Sequence, residues 1–407
     1  MVRKIVRESI GVLLLAVAGF RAEGFERTVV AEENSKVERF RVVQIVSGLE
    51  NPWGLAFLPE GSLLVTERVG RMVILGPQGA KQQVTGLPPV AASGQGGLLD
   101  VVLDPDFGNN RWVYFSYSTP GPRGTSGTAV ARGRLSGNRL LGLQVLYEMK
   151  QKTSSSLHFG SRLAFGADGM LYISTGERGE RDRAQDLSDT AGKVLRIQPD
   201  GRVPRDNPWA GQGQPMGRAA GRGDGREPQK GTGSGTRIGN VAPEIYTLGH
   251  RNVQGMALHP ETGELWVHEH GPRGGDEINV LKPGANYGWP VITYGKEYFG
   301  GLSIGEGTHK ERMEQPILQW TPSIAPSGMT FYTGSLFPRW KGNLFVGALA
   351  GQHLRRIVLR GKEVVEEEML LHRKIGRIRD VRTGPDGYLY LLTDERNGGV
   401  YRLEPMP

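Results

Sequence analysis

The sequence predicts an all-β fold, a six-bladed β-propeller of four-stranded antiparallel blades, and three observations predict it. One strand–turn–strand unit recurs six times along the 407 residues. Glycine and proline, 61 and 25 residues, are abundant enough to punctuate many short strands. Hydrophobic residues at 38%, with seven tryptophans, exclude a disordered chain. A strand–turn–strand cannot bury its own faces, so six copies imply a ring of stacked repeats, and their spacing of roughly 45 to 95 residues accommodates four strands plus loops. A ring of this kind is one domain despite its length.

In chain order, Arg3, Lys4 and Arg7 precede an apolar run over residues 10–20, a length that fits a signal-peptide core and falls short of a bilayer span. Ala16-Val17-Ala18 forms a small-x-small cleavage pattern, and Phe20-Arg21-Ala22 a second. Residues 1–22 are therefore expected to be a signal peptide, and the mature protein periplasmic or secreted, with no stable membrane insertion after cleavage. A polar spacer follows, and the propeller is expected over residues 40–407. Residues 40–46 (FRVVQIV) alternate as a strand does, and would close the ring against the last blade, whose own contribution ends at residues 400–403.

The first repeat spans residues 53–67 and the second residues 97–116. The third, led by His158, pairs Leu163-Ala164-Phe165 with Met170-Leu171-Tyr172-Ile173-Ser174 across the turn Gly166-Ala167-Asp168-Gly169. The fourth lies at residues 253–267, the fifth at 327–346 and the sixth at 378–392. Between the third and fourth, residues 211–240 include GQGQPMGRAAGRGDGREPQKGTGSGTR, almost free of large apolar side chains. That stretch is expected to be a flexible glycine-rich insertion; its Gly-x-Gly patterns follow no strand, which argues against a phosphate loop.

The absence of cysteine excludes disulfides, thiolate metal sites and cysteine nucleophiles. A net charge of +8 admits nucleic acid as a partner, but the basic residues are scattered with no interleaved aromatics, so nucleic-acid binding is not expected. A small polyanion held by several arginines uses the same charge more economically. No Gly-x-Ser-x-Gly elbow supports a serine hydrolase.

Candidate chemistry gathers at the residues leading the repeats, since propeller loops converge on the central channel. His158 alone leads its repeat as a histidine, with Gly160, Ser161 and Arg162 behind it, and a neutral imidazole suits a general base. A structural histidine is the equal alternative. Arg377 and Arg379 point the same way from an extended segment and suit a carboxylate ligand, unless they pair with Asp380, Asp386 or Asp394. Gln95, set among glycines, offers either an amide to the same centre or a turn contact. His268 and His270 have metal-ligand spacing but no third partner, whereas the turn carbonyls near Gly271, with Asp276 and Glu277, are oxygen donors that suit calcium.

Taken together, the segments NPWGLAFLP, GQGGLLDV, HFGSRLAF, GHRNVQG, EHGPRGGDEIN, NYGWP and RIRDV resemble, in order, the soluble pyrroloquinoline quinone (PQQ)-dependent aldose sugar dehydrogenases of the glucose/sorbosone dehydrogenase family. The resemblance implies PQQ near the propeller axis and hydride transfer from an aldose C1 to the quinone, with His158 as the base. It implies cofactor contacts from Gln95, His158, Arg251, Asn252, Arg377 and Arg379. Gly271 and Pro272 match positions whose carbonyls hold a calcium beside PQQ, and Glu277 and Tyr287 match a second calcium site. Two positions depart from the glucose-oxidising branch: Leu157 replaces an acidic residue, and Ala350 replaces a lysine that contacts PQQ. Two alternative functions stand beside this one. A calcium-dependent lactonase on the same fold needs converging Asp, Glu and Asn side chains, and a non-catalytic binding propeller is favoured by Ala350. The sugar preferred and the electron acceptor are not encoded in any motif.

Overall fold

The computed structural model describes residues 27–77, 79–211 and 241–407. Blade 1 holds β3 (Pro52–Phe57), β4 (Leu63–Glu67), β5 (Arg71–Leu75) and β6 (Lys81–Gln83), after β1 (Thr28–Asn34) and β2 (Arg39–Leu49). Blade 2 holds β7 (Leu98–Leu103), β8 (Trp112–Pro120), β9 (Ser126–Ser136) and β10 (Arg139–Glu148). Blade 3 holds β11 (Leu163–Phe165), β12 (Leu171–Ser174), β13 (Lys193–Ile197) and β14 (Ile245–Leu248). Blade 4 holds β15 (Val253–Leu258), β16 (Leu265–Glu269), β17 (Asp276–Val280) and β18 (Leu318–Trp320). Blade 5 holds β19 (Pro326–Phe331), β20 (Leu344–Ala348), β21 (His353–Arg360) and β22 (Glu363–Leu370). Blade 6 holds β23 (Ile378–Thr383), β24 (Leu389–Thr393) and β25 (Gly398–Pro405).

Neighbouring inner strands touch all the way round, β3 to β7, β11, β15, β19, β23 and back to β3. The ring closes as the sequence predicts: β2 from the N-terminal side pairs antiparallel with β25, with Val42 opposite Leu403 and Gln44 opposite Tyr401. Blade 6 departs from the four-strand expectation, because β1 adds a fifth strand outside β2. That strand lies in the expected polar spacer. Its residues are exposed or half-buried, so it carries none of the apolar alternation that marks a packed strand.

The second strands show why the repeats were legible. β4 (LLVTE), β20 (LFVGA) and β24 (LYLLT) are buried at every position, since each blade is covered on both faces by its neighbours. One apolar cluster seals each joint between blades. Leu64, Met72, Val101 and Phe115 seal blades 1 and 2, for example, and Phe345, Leu354, Val381 and Leu391 seal blades 5 and 6. Each such side chain contributes roughly 1.5–3 kcal/mol by leaving water. The expected signal peptide and most of the expected insertion lie outside the described residues. Among the described residues, no helix is long and apolar enough to cross a membrane.

Candidate active site

Antiparallel pairing sets the logic of the channel mouth: the entry to each inner strand lies beside the exit of its second strand. In four blades the exit supplies a carboxylate that grips the entry. Glu67 accepts the Glu50 amide at 2.6 Å, Glu177 holds His158, Glu269 accepts the Arg251 amide at 2.5 Å and bonds His250, and Asp394 takes the Arg379 guanidinium at 2.5 Å. The sequence pointed to His158, Arg251 and Arg379 among these entries and to Asp394 as a possible partner of Arg379, but not to Glu50, Glu67, Glu177 or Glu269. The signal was present, an Asp or Glu at or just after the end of each of these second strands.

His158 is buried, and its Nδ1 lies 2.5 Å from Glu177 Oε2, an oxygen that also accepts the Gly179 amide. The carboxylate fixes the proton on Nδ1 and leaves Nε2 as the free base. Burial, aided by the charges of Arg251 and Arg178, pulls the imidazole below its ordinary value against the raising effect of Glu177. Burial pushes Glu177 up, but its bond to His158 and the charges of His158 and Arg251 outweigh this, and the carboxyl ends below its ordinary value. His158 takes a left-handed backbone, φ 51°, which costs a non-glycine residue roughly 1–2 kcal/mol. Gln95 Oε1 holds it there by accepting the His158 amide at 2.9 Å, while Arg178 grips the Leu157 and Ser155 carbonyls. Gly176 is required behind it: a Cβ there would lie 2.0 Å from the His158 carbonyl oxygen.

Beside this dyad lies a cavity of about 310 Å³, lined among others by Trp53, Arg68, Gln95, His270, Arg377 and Arg379. Arg377 and Arg379 face it together, as their spacing predicts. Of the three carboxylates weighed as their partners, Asp394 is the one used, at 2.5 Å from Arg379 and 3.9 Å from Arg377. Burial raises Asp394, but the Arg379 charge and hydrogen bond, the Asn51 amide and the Arg68 charge hold its carboxyl down to about 2. Asp380 instead joins Arg162 and Arg382, and Asp386 bonds Tyr390. His270 is neutral, its imidazole held down to about 3 chiefly by burial, and it bonds the Pro326 carbonyl rather than pairing with His268.

Phe159 and Gly160, next to His158, line this cavity, but His158 itself, Arg251 and Asn252 do not. Arg251 borders an adjoining small cleft, its guanidinium 5.4 Å from the Trp289 ring centre and 3.1 Å from the His270 carbonyl. Asn252 is buried between the two, its Oδ1 accepting the Gly160 amide. The cleft also brings together Gly271, Glu277 and Tyr287. Asp276 holds this loop: its carboxylate accepts the Gly271, Ile324 and Ala325 amides and the Ser323 hydroxyl, which commits it to the loop rather than to an ion. The Tyr287 phenol donates to the Val280 carbonyl and accepts the Lys282 amide. Pro272 accepts the Lys296 amide at 3.0 Å. Burial, then the charge of neighbouring Glu269, pushes the Glu277 carboxyl up. Among the described residues no three His, Asp or Glu side chains form a ready metal cluster.

Further down the inner strands lies a second cluster of ions. Arg162 lies 3.1 Å from Asp100 and 3.0 Å from Asp380, and Arg382 pairs with the same two carboxylates at 2.7 and 2.8 Å. This commits the acidic residues nearest the axis, which a lactonase-type calcium centre would need, to guanidiniums.

Residues 49–219 and 222–402 match the family described as glucose/sorbosone dehydrogenase. Aldose sugar dehydrogenase YliI of Escherichia coli (strain K12) is 41% identical over 362 residues, which cover 88% of this chain and 91% of that protein. A solved glucose dehydrogenase is 45% identical with a TM-score of 0.80, covering 89% of this chain and 98% of the other. The PQQ-bound form of an aldose sugar dehydrogenase from Streptomyces coelicolor is 29% identical with a TM-score of 0.68, covering 89% and 99%. The chain belongs to the glucose/sorbosone dehydrogenase family of enzymes.

Proposed function

We propose that the protein is an exported quinoprotein that oxidises an aldose at C1 to its lactone, with PQQ and calcium as cofactors. One observation carries the reading: the charged side chains lining the central cavity are a surplus of guanidiniums. Three guanidiniums, those of Arg68, Arg377 and Arg379, face the single carboxylate of Asp394. Gln95 in the lining and Asn252 outside it spend their oxygens on the His158 and Gly160 amides, and their side-chain nitrogens donate to no described residue. The buried Nε of Arg379 has no partner among the described residues either. A flat tricarboxylate quinone is the complement of such a lining, and the PQQ-bound relative supports that identity.

When bound, PQQ would supply the acceptor for the hydride leaving C1. The chain's own residues do the rest. Arg377, Arg379, Arg251, Asn252 and Gln95 bind and orient it by charge-assisted and amide hydrogen bonds. His158 Nε2 takes the proton of the C1 hydroxyl, and Glu177 stabilises the imidazolium that forms and keeps the ring in place. The lowered imidazole value keeps His158 neutral, and thus a base, at neutral pH. Calcium is assigned to the Gly271 and Pro272 carbonyls, with a second ion at Glu277 and Tyr287. The buried Glu277 carboxyl beside Glu269 is a place where a divalent cation offsets repulsion. Export rests on the basic start and short apolar run of residues 1–22, and a mature N-terminus just after Ala18 or Ala22 checks it.

The test is reconstitution. Purified protein given PQQ and calcium is expected to reduce a dye with an aldose, and to lose that activity to a chelator and regain it with calcium. Bound PQQ without dye reduction from any aldose contradicts the reading.

A further inference from the structure

The cavity arginine that the family resemblance leaves without a role is Arg68, one residue beyond β4. Its backbone is fixed from two sides. The Arg68 carbonyl accepts the Leu98 amide at 3.2 Å, and Gly97, φ 157°, packs so closely that a Cβ there would lie 1.8 Å from that oxygen. The side chain lines the cavity, and Nη1 donates to the Gly94 carbonyl. Nε is buried without a partner, and Nη2 donates to no described residue. No described carboxylate pairs with it within salt-bridge distance; the acid that lines the cavity, Asp394, is already held by Arg379. A half-buried guanidinium with one protein bond among its donors costs free energy unless something anionic joins it. Meanwhile the position where the resemblance expects a lysine is Ala350, so among the described residues blade 5 gives the cavity lining no cation, and its neighbour Leu349 lines the cavity with an apolar residue.

We propose that Arg68 is a carboxylate-binding residue of the cofactor site and supplies, from blade 1, the cation that Ala350 does not supply from blade 5. The inference rests on the reading of the cavity as a PQQ site. Arg68 then has two tasks, holding the Gly94 carbonyl, and with it the loop of Gln95, and pairing a ligand carboxylate through Nε and Nη2.

Binding of PQQ and of its trimethyl ester to the calcium-loaded protein, followed by tryptophan fluorescence, separates these tasks without relying on turnover. Wild type should bind PQQ more tightly than the ester. Arg68→Met should weaken PQQ binding by about 10- to 100-fold, the range of a charge-assisted pair, and leave ester binding close to wild type. Arg68→Lys should recover part of the loss, and the apo-protein melting temperatures should show that both variants fold. Equal PQQ affinity in Arg68→Met and wild type overturns the proposal, and so does an equal loss for PQQ and ester, which makes Arg68 only a support for the Gly94 loop. Wild type that binds no PQQ instead removes the cofactor reading itself.

Discussion

Two clusters of arginine and aspartate sit one above the other in the channel, and they share a tryptophan. The Trp53 ring centre lies 4.4 Å from the Arg162 guanidinium of the lower cluster and 5.6 Å from that of Arg379 in the upper one. The lower cluster sets Arg162 and Arg382 against Asp100 and Asp380, and the carboxylates also accept the Leu163 and Leu55 amides. It is balanced, and its aspartates are sealed from water. The upper cluster sets three arginines against Asp394, and the Arg377 side chain is 41% exposed. Identical residue types thus do different work. A balanced, dry cluster holds the ring together, whereas a surplus of charge at an open cavity marks a place for an anion.

That contrast can be broken first at the lower cluster. Asp380→Asn leaves two buried guanidiniums to one carboxylate and should cost about 3–5 kcal/mol in denaturant unfolding. An unfolding midpoint equal to wild type would show that the cluster is not structural. Next in size, His158→Ala should lower turnover at saturating PQQ by roughly 10²-fold or more while the protein still binds the cofactor; normal turnover there makes the histidine structural. Arg379→Ala should weaken PQQ binding by about 10- to 100-fold, with activity partly returning at excess PQQ. A loss of turnover that excess PQQ does not relieve would move Arg379 from binding to chemistry.

Smaller effects sharpen the picture. Activity should fall on the acid side as His158 gains a proton, with the midpoint below the usual histidine value of about 6.5, since burial lowers the imidazole. Glu177 raises that value, so Glu177→Gln should move the acid limb to still lower pH, and a limb that stays put would mean another group controls it. Smallest of all, Arg377→Ala should change apo-protein stability by no more than about 1 kcal/mol, because its nearest carboxylate is 3.9 Å away at an exposed site.

The repeat was legible because each blade's second strand is buried on both faces and reads as an apolar run closed by a glycine turn. β1 was not, since an exposed edge strand need carry no apolar pattern. At the site, the histidine and arginines that enter inner strands stood out as chemistry-bearing leads. Asp394 was one of three acids open to the arginines, but Glu177 and Glu269 were not legible, because strand pairing brings them within reach across gaps of 18 and 19 residues. The lower cluster was hidden more deeply. Asp100 and Arg382 lie 282 residues apart, and only closure of the ring brings them together.

The most direct test of the charge surplus is the change in unfolding temperature when PQQ is added with calcium. A ligand that binds only the folded state raises that temperature. The wild type and the lower-cluster variant Asp380→Asn should each gain stability from PQQ, the variant from a lower starting point. The double variant Arg377→Ala/Arg379→Ala should gain little or none. A wild type that PQQ leaves unmoved, or a double variant that gains as much as the wild type, would contradict the account.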